Sequence, residues 1–422
     1  MSLLKKNTQL KDLVGRHLQQ LAVWEQTKEE TLWQGIDTGG IVLLANPAHT
    51  NCHPTIVGQP ASVKVNANIG TSPFLNDPDL ESSKLRAAEE AGAHTVMDLS
   101  TGGDLDRIRT RLLKETTLPL GTVPLYGIAQ RYIEKQSDPA KMSPSEVSEE
   151  IAKQAEQGVD FMTLHCGVTK RGVALAREGQ RQMGIVSRGG ALLAKWIEYN
   201  GQESPFLTQF ETILDICAEH NVVISLGDGL RPGAGADAGD AAQWEEVITL
   251  GELARQAREK GVQIMIEGPG HVPLHLIQSQ IQGIKRACDQ APLYVLGPLT
   301  TDIAAGYDHI AGAIGGSLAA YYGADFLCYV TPAEHLTLPN ENDVWQGVKA
   351  SLLAAHSAEV SLQRPWAVKR NAVISQARCE LDWDKMAEHG LDPELIRKRR
   401  ERFASKEECA MCGDFCAVKL FR

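Results

Sequence analysis

The sequence predicts an α/β protein built on a closed (β/α)8 barrel, with an N-terminal extension and a C-terminal helical, cysteine-rich tail. Three observations carry this. Short β-rich runs alternate with amphipathic helical stretches through the middle of the chain, the signature of βαβ units and a parallel sheet. The 422 residues suit a barrel of about 250 residues with additions. Nearly every run also closes on a polar residue or glycine, and in parallel α/β folds the loops after the strands build the active site.

The runs are VKVNANI from Val63, TVMDLS from Thr95, TVPLYG from Thr122, DFMTLHC from Asp160, GIVSRG from Gly184, VVISLGDG from Val222, QIMIEGPG from Gln263, LYVLGP from Leu293 and FLCYV from Phe326. That is one run more than a closed barrel needs, so one is an edge strand or a loop; an open doubly wound sheet is the alternative architecture. Between them lie helical stretches such as SPSEVSEEIAKQAEQG, where Ser143-Pro144 supplies an N-cap and first turn and Gly158 a stop. The polar run ends are Asn68, Asp98, Tyr126, His165, Ser187-Arg188, Asp228 and Glu267. Ile310 to Val330 is long and nearly uncharged, yet it carries Asp325 and glycines and is read as a buried helix and strand, not a membrane span. The expected domains are an N-terminal segment (1–61) with a helix over Leu10–Lys28, the barrel (62–360) and the tail (361–422).

Composition narrows the function. The 42 Lys+Arg against 53 Asp+Glu leave a net charge of −11, which argues against nucleic acid or an acidic membrane as partner. The basic run Arg397–Arg402 is accordingly a solvated helix face. Aromatic residues make up 5%, so the core must be mainly aliphatic. Nine cysteines, with no sustained apolar stretch in MSLLKKNTQLKDLV, suggest a cytoplasmic protein whose thiols serve metal binding or catalysis.

Chemistry concentrates in three places. In the tail, Cys409, Cys412 and Cys416 stand at C-x2-C-x3-C. Three thiolates with no fourth nearby suit a 4Fe–4S cluster with one open iron, the site S-adenosylmethionine needs for chelation; zinc with a distant His, or free thiols, are the rivals. The other six cysteines are read as core. SRGG (Ser187–Gly190) and GDGLRPG (Gly227–Gly233) are glycine-flanked turns whose N–H groups could hold a phosphate, with Arg188 and Arg231 adding charge. EGPGHVP carries Glu267 and His271, and TPAEHLTLP carries His335. The two histidines could share a divalent metal or simply hydrogen-bond in loops. The remaining histidines show no ligand spacing.

Together VNANIGTSP, MDLSTGGD, MGIVSRGGA, SLGDGLRPG, MIEGPGHVPL, YVLGPLTTDIAAGYDHIAGAIGG, FLCYVTPAEHL and CAMCGDFC resemble the thiamin pyrimidine synthase (phosphomethylpyrimidine synthase) family over residues 62–422. The resemblance implies a homodimeric radical enzyme that uses a 4Fe–4S cluster, S-adenosylmethionine, zinc and an external electron donor. Its substrate would be 5-aminoimidazole ribotide. Substrate contacts would fall to Asn68, Met97, Tyr126, His165, Ser187, Arg188, Gly189, Asp228, Gly229, Leu230, Arg231, Glu267 and Tyr294. Zinc would fall to His271 and His335, and catalysis to Glu267 with Cys409, Cys412 and Cys416 as cluster ligands. Three departures stand out: Asn51–Pro60 (NCHPTIVGQP) in an N-terminal segment without the pattern usual ahead of the barrel, Ala305 where proline is usual, and Cys166 where alanine is usual. They favour a paralogue with the same substrate and another product, 5-hydroxybenzimidazole, the lower-ligand base of anaerobically made cobalamin. The thiamin pyrimidine is the alternative. A zinc-dependent barrel hydrolase or aldolase, or a phospho-ligand sensor, are the rivals of other classes.

Overall fold

A computed structural model describes residues 2–421. Ahead of the barrel, helices Thr8–Trp24 and Glu29–Thr38 pack on two short antiparallel strands, β1 (Val42–Leu44) and β2 (Thr55–Val57). Leu10, Leu32, Ile36, Leu43 and Ile56 form a separate apolar cluster there. The first long helix ends at Trp24, short of Lys28, and a second begins at Glu29.

Eight parallel strands then close in sequence order: β3 (Lys64–Ile69), β4 (Thr95–Asp98), β5 (Leu120–Thr122), β6 (Phe161–Leu164), β7 (Val223–Leu226), β8 (Ile264–Gly268), β9 (Leu293–Leu296) and β10 (Phe326–Cys328), with β10 returning to β3. The ninth predicted run, GIVSRG, is not a strand. Ser187 is the N-cap of helix Arg188–Asn200, its Oγ accepting from Gly190 N, so Ser-Arg-Gly-Gly opens a helix where the sequence suggested a strand end. TVPLYG also splits: β5 stops at Thr122, and Pro124 starts a helix whose first turn holds Tyr126. Pro124 has no N–H to give a ladder, and as first helical residue it has none to lose. Helix Pro144–Gln157 has the Ser143–Glu146 capping box and ends at Gly158 with φ of 106°. The uncharged stretch is helix Asp308–Tyr322 followed by β10. No helix among the described residues is long and apolar enough to cross a membrane.

Few aromatics suffice because they sit where the barrel needs bulk. Phe326 packs at 4.3 Å from the Tyr294 ring and 6.4 Å from Phe161, all three buried inside. The helices and strands around them are held by Val, Ile, Leu and Ala. The N-terminal strands cap the barrel's N-terminal end. Leu43 exchanges hydrogen bonds with the Gln263 amide (2.7 and 3.1 Å), Asn221 Nδ2 donates to Ala45 O (2.8 Å), and Asn46 N donates to Asp160 (2.8 Å). Gln263, Asn221 and Asp160 all precede the strands they serve, so this segment lies at the end of the barrel opposite the strand C-termini. The chain separates into two compact units, one ending at Ala355 and one beginning at His356. The second holds helices Pro365–Glu380, Trp383–His389 and Pro393–Glu401 and then the cysteine loop; the basic run lies on the last of these helices.

Asp325 holds the closing seam. Its carboxylate, 2% exposed, accepts from Lys285 Nζ (2.7 Å), Leu293 N (2.8 Å) and Gln59 N (3.0 Å). Asp325→Ala leaves two N–H groups without their acceptor and the largely covered Lys285 ammonium with Ala291 O but no counter-charge. It should cost about 3–5 kcal/mol, read as a lowered urea midpoint, and Asp325→Asn should cost less because the amide oxygen still accepts.

Candidate active site

The C-terminal ends of the strands open on one pocket. Asn68, Met97, Tyr126, His165, Asp228, Arg231, Glu267 and Tyr294, all expected at the site, line it. Parallel pairing brings them together: Asn68 stands beside Met97 across β3 and β4, and Glu267 beside Tyr294 across β8 and β9. Asp98 does not join them. Its carboxylate turns back to accept from Ser100 N at 3.0 Å.

The two glycine-flanked turns meet behind this pocket. A Cβ on Gly190 would lie 2.0 Å from the carbonyl oxygen of Gly229, and one on Gly189 would lie 2.2 Å from the His165 ring. Only glycine lets the start of helix Arg188–Asn200 lie against the Asp228–Arg231 turn and the imidazole at once. Ser187 Oγ reaches His165 Nε2 at 3.3 Å, and the Arg188 guanidinium sits 4.8 Å over the Tyr126 ring. Gly229 and Leu230 contribute backbone, with Leu230 N donating to Glu246 at 2.7 Å. Arg181, its side chain buried, ties the Gly227–Gly233 turn to the next helix by donating to Asp240 through Nε (2.6 Å) and to Leu230 O through Nη2 (2.6 Å).

The electrostatics are those of a dry site crowded with charge. Burial pushes the Asp228 acid up to about 7; Arg231, at 3.0 Å, pulls the other way, and Glu267 adds to the rise. Burial likewise raises Glu267 against the pull of the Ser225 and Thr163 hydroxyls, both of which donate to Oε1 at 2.6 Å. Burial and then Arg231 lower His165 to about 3, so its ring is neutral and offers one donor and one acceptor. Two buried atoms here have no protein partner, Asp228 Oδ2 and His165 Nδ1. Buried polar atoms are rarely left so, and a polar ligand is the natural partner for this pair.

On the opposite wall Asn66 Nδ2 donates to Asn68 Oδ1 (2.7 Å) and Tyr294 OH (2.8 Å), and Asn68 Nδ2 reaches Cys328 Sγ at 3.0 Å. Cys328 corrects the sequence reading, which counted it as core: it lines the pocket, and burial pushes its thiol up to about 12. Its place at the end of the last strand was the signal available, because the other strands also carry their chemistry there.

His271 and His335 do come together, with ring centroids 5.2 Å apart. Each has a carboxylate at Nδ1: Asp302 at 2.7 Å for His271, and Asp308 at a looser 3.4 Å for His335. A carboxylate at Nδ1 is the arrangement that orients a histidine so that Nε2 can bind a metal. His335 holds φ at 62°, a left-handed conformation uncommon outside glycine. Sequence reasoning missed Asp302 and Asp308, since nothing local links them to histidines 31 and 27 residues away.

Two of the three departures from the expected pattern lie away from the pocket. Cys166 is fully buried with Cys217 as neighbour, and Asn51–Pro60 belongs to the segment at the barrel's other end. Ala305 lies in the loop that carries Asp302 and leads to Asp308.

In the second unit Cys409 and Cys412 interact with one another, and the N–H groups of Met411 and Cys412 lower the Cys409 thiol. Arg400, stacked 4.0 Å over Trp383, donates to the carbonyls of Phe403, Lys406 and Glu408, which fixes the loop ahead of the cysteines. The three sulfurs are not gathered within 4.8 Å of one another, as a single ion would require. A cluster, in which each thiolate binds a different iron, fits the donor set better.

Residues 6–422 match the model of the Radical SAM ThiC family. The chain belongs to that family. It is therefore an enzyme, and membership implies an iron–sulfur cluster and S-adenosylmethionine. Its relatives include the phosphomethylpyrimidine synthase of Methanocaldococcus jannaschii, 48% identical over 408 residues and 96% of either chain. The protein of the same name from Carboxydothermus hydrogenoformans is 47% identical over 97% of this chain and 96% of its own. That of Dehalococcoides mccartyi (strain CBDB1) is 48% identical over 97% of this chain and 95% of its own.

The Asp228 value gives a signed pH dependence. With a folded value of about 7 above the 3.8 of a free aspartate, the ligand-free fold binds more protons than the unfolded chain between those limits. Asp228 therefore makes stability fall as pH rises from about 4 to about 7. Melting scans across that range should show a shallower fall for Asp228→Asn than for the wild type.

Proposed function

We propose that the enzyme rearranges 5-aminoimidazole ribotide by S-adenosylmethionine-dependent radical chemistry, and that its product is the phosphorylated hydroxymethylpyrimidine of thiamin. One observation carries the substrate: the unpartnered Asp228 Oδ2 and His165 Nδ1 stand in one pocket beside Arg231 and the N-terminus of helix Arg188–Asn200. A ribose hydroxyl and a phosphate are what such a set takes. The product is supported by the activity for which the relatives are named and by the two departures that lie away from the pocket.

In this reading Arg231 and the Gly189 N–H at the start of helix Arg188–Asn200 hold the phosphate. Asp228 Oδ2 meets a ribose hydroxyl. Raised by burial toward neutrality, it can accept or return a proton there. Neutral His165 orients the ring without adding charge, and Glu267, fixed by Thr163 and Ser225, faces the sugar from β8. Cys409, Cys412 and Cys416 would hold the cluster, which when bound supplies the electron that cleaves S-adenosylmethionine. The zinc expected at His271 and His335 would polarise a substrate oxygen or nitrogen. The barrel's part is to keep water from the site while the sugar carbons are reorganised.

A second reading has one observation in its favour. Ala305, where proline is usual, sits in the loop that positions the partners of both metal-site histidines, and a shift there would redirect the same cascade to 5-hydroxybenzimidazole. Mass spectrometry of an anaerobic reaction with the ribotide, S-adenosylmethionine and a reductant separates the two. A phosphorylated aminopyrimidine supports the first reading, and a fluorescent, phosphate-free benzimidazole establishes the second.

Two variants test the site. Arg231→Ala should weaken ribotide binding roughly ten- to a hundredfold while hardly changing affinity for a dephosphorylated analogue. Cys412→Ala should abolish S-adenosylmethionine cleavage with the barrel's melting transition unchanged, and retained cleavage would remove Cys412 from the cluster.

A further inference from the structure

We propose that His49, Cys52 and Asp160 form a structural site for one zinc ion at the N-terminal end of the barrel, separate from the cluster and from His271 and His335. Among the described residues this is the group of three such side chains whose donor atoms lie within 4.8 Å of one another. It corrects the sequence reading twice, since His49 was set aside for lack of ligand spacing and Cys52 was counted as core. The spacing is H-x2-C, with the carboxylate supplied from far along the chain.

The site is built before any ion enters. Asp160, just ahead of β6, is fully buried, and its carboxylate accepts from Asn46 N at Oδ1 (2.8 Å) and Leu120 N at Oδ2 (2.7 Å). Two successive turns, His49 N to Asn46 O (3.0 Å) and Cys52 N to His49 O (3.1 Å), bring the imidazole and thiol onto one side of the loop. The Asn46 amide pins that loop by donating to Ala155 O (2.8 Å) and Val159 O (2.9 Å). His49 Nδ1 lies 2.7 Å from Asp160 Oδ2, while Nε2 is buried without a well-formed hydrogen bond, the Thr116 and Leu113 carbonyls lying near the ring. Cys52 is partly exposed, and its thiol already interacts with the Asp160 carboxylate. Bond lengths of about 2.0–2.3 Å place tetrahedral ligand atoms roughly 3.3–3.8 Å apart, so the His49–Asp160 pair, now 2.7 Å apart, opens by about half an ångström to admit the ion while all three donors stay within the 4.8 Å they already span.

Charge is compatible with the ion. A zinc dication would be met by the Asp160 carboxylate and a Cys52 thiolate, with His49 as neutral imidazole and the displaced protons released to solvent, so no uncompensated charge is buried. Mixed N, S and O donors in a four-coordinate setting suit zinc over magnesium or calcium. The ion would tie the loop after β1 to the base of β6, remote from the pocket.

The test uses the full-length enzyme with its cluster in place, so that the tail thiolates are occupied, and zinc as the only added metal. Zinc per chain, zinc-edge X-ray absorption and melting temperature are measured for wild type, Cys52→Ala, Cys52→His and His271→Ala. Cys52→Ala should lose one zinc per chain, the sulfur neighbour of zinc and the zinc-dependent rise in melting temperature, while turnover stays near wild type. Cys52→His should regain the ion without sulfur, and His271→Ala should keep the sulfur signal. Zinc without a sulfur neighbour in the wild type, or zinc content and melting unchanged in Cys52→Ala, would overturn the site and leave His49–Asp160 as a plain ion pair.

Discussion

Closing β10 onto β3 is the constraint on which the rest depends. Once eight short parallel strands share one register, every strand delivers its last residues to the same rim and its first residues to the other. Residues scattered from Asn68 to Cys328 become neighbours only through that closure. The seam is held by a charge that burial would otherwise penalise: Asp325 takes up an ammonium and two N–H groups where β9, β10 and the N-terminal segment meet. The barrel is thus shut by an acid fully satisfied within the fold.

At the C-terminal rim the same physics runs the other way. Asp228, Glu267 and Glu246 are buried close together, with Arg231 the nearby cation, and Asp228 Oδ2, Glu246 Oε1 and His165 Nδ1 lack protein partners. Each unsatisfied atom lowers stability by about 1–3 kcal/mol. The scaffold tolerates this because aliphatic packing and braces such as Arg181 hold the glycine turns in place. A site left short of partners is prepared to gain them from a substrate.

The two ends of the barrel therefore divide the labour. The N-terminal end is covered by β1, β2 and their loops, with Gln263, Asn221, Asp160 and Asp325 acting as anchors whose hydrogen bonds are made within the protein. The C-terminal end keeps its polar atoms for ligands. The unusual segment Asn51–Pro60 belongs to the first of these ends, so its role is to be sought in stability and metal binding more than in product choice.

The sequence by itself determined much. Alternating β-rich runs and capped helices specify the barrel, because hydrophobic period and caps act within a few residues. The polar run ends specify most of the pocket, since a parallel barrel leaves them no other place, and C-x2-C-x3-C brings three thiols into one short loop, because local spacing sets how close they can come. Tertiary structure alone decided that Ser187-Arg188 opens a helix, that Tyr126 stands in a first turn, and that Cys328 faces the pocket while Asp98 does not. It alone paired Asp302 with His271 and Asp160 with His49, partners 31 and 111 residues apart. Such pairings follow from where the closed barrel brings side chains together and from which of them burial leaves in need of a partner, and neither is expressed in local pattern.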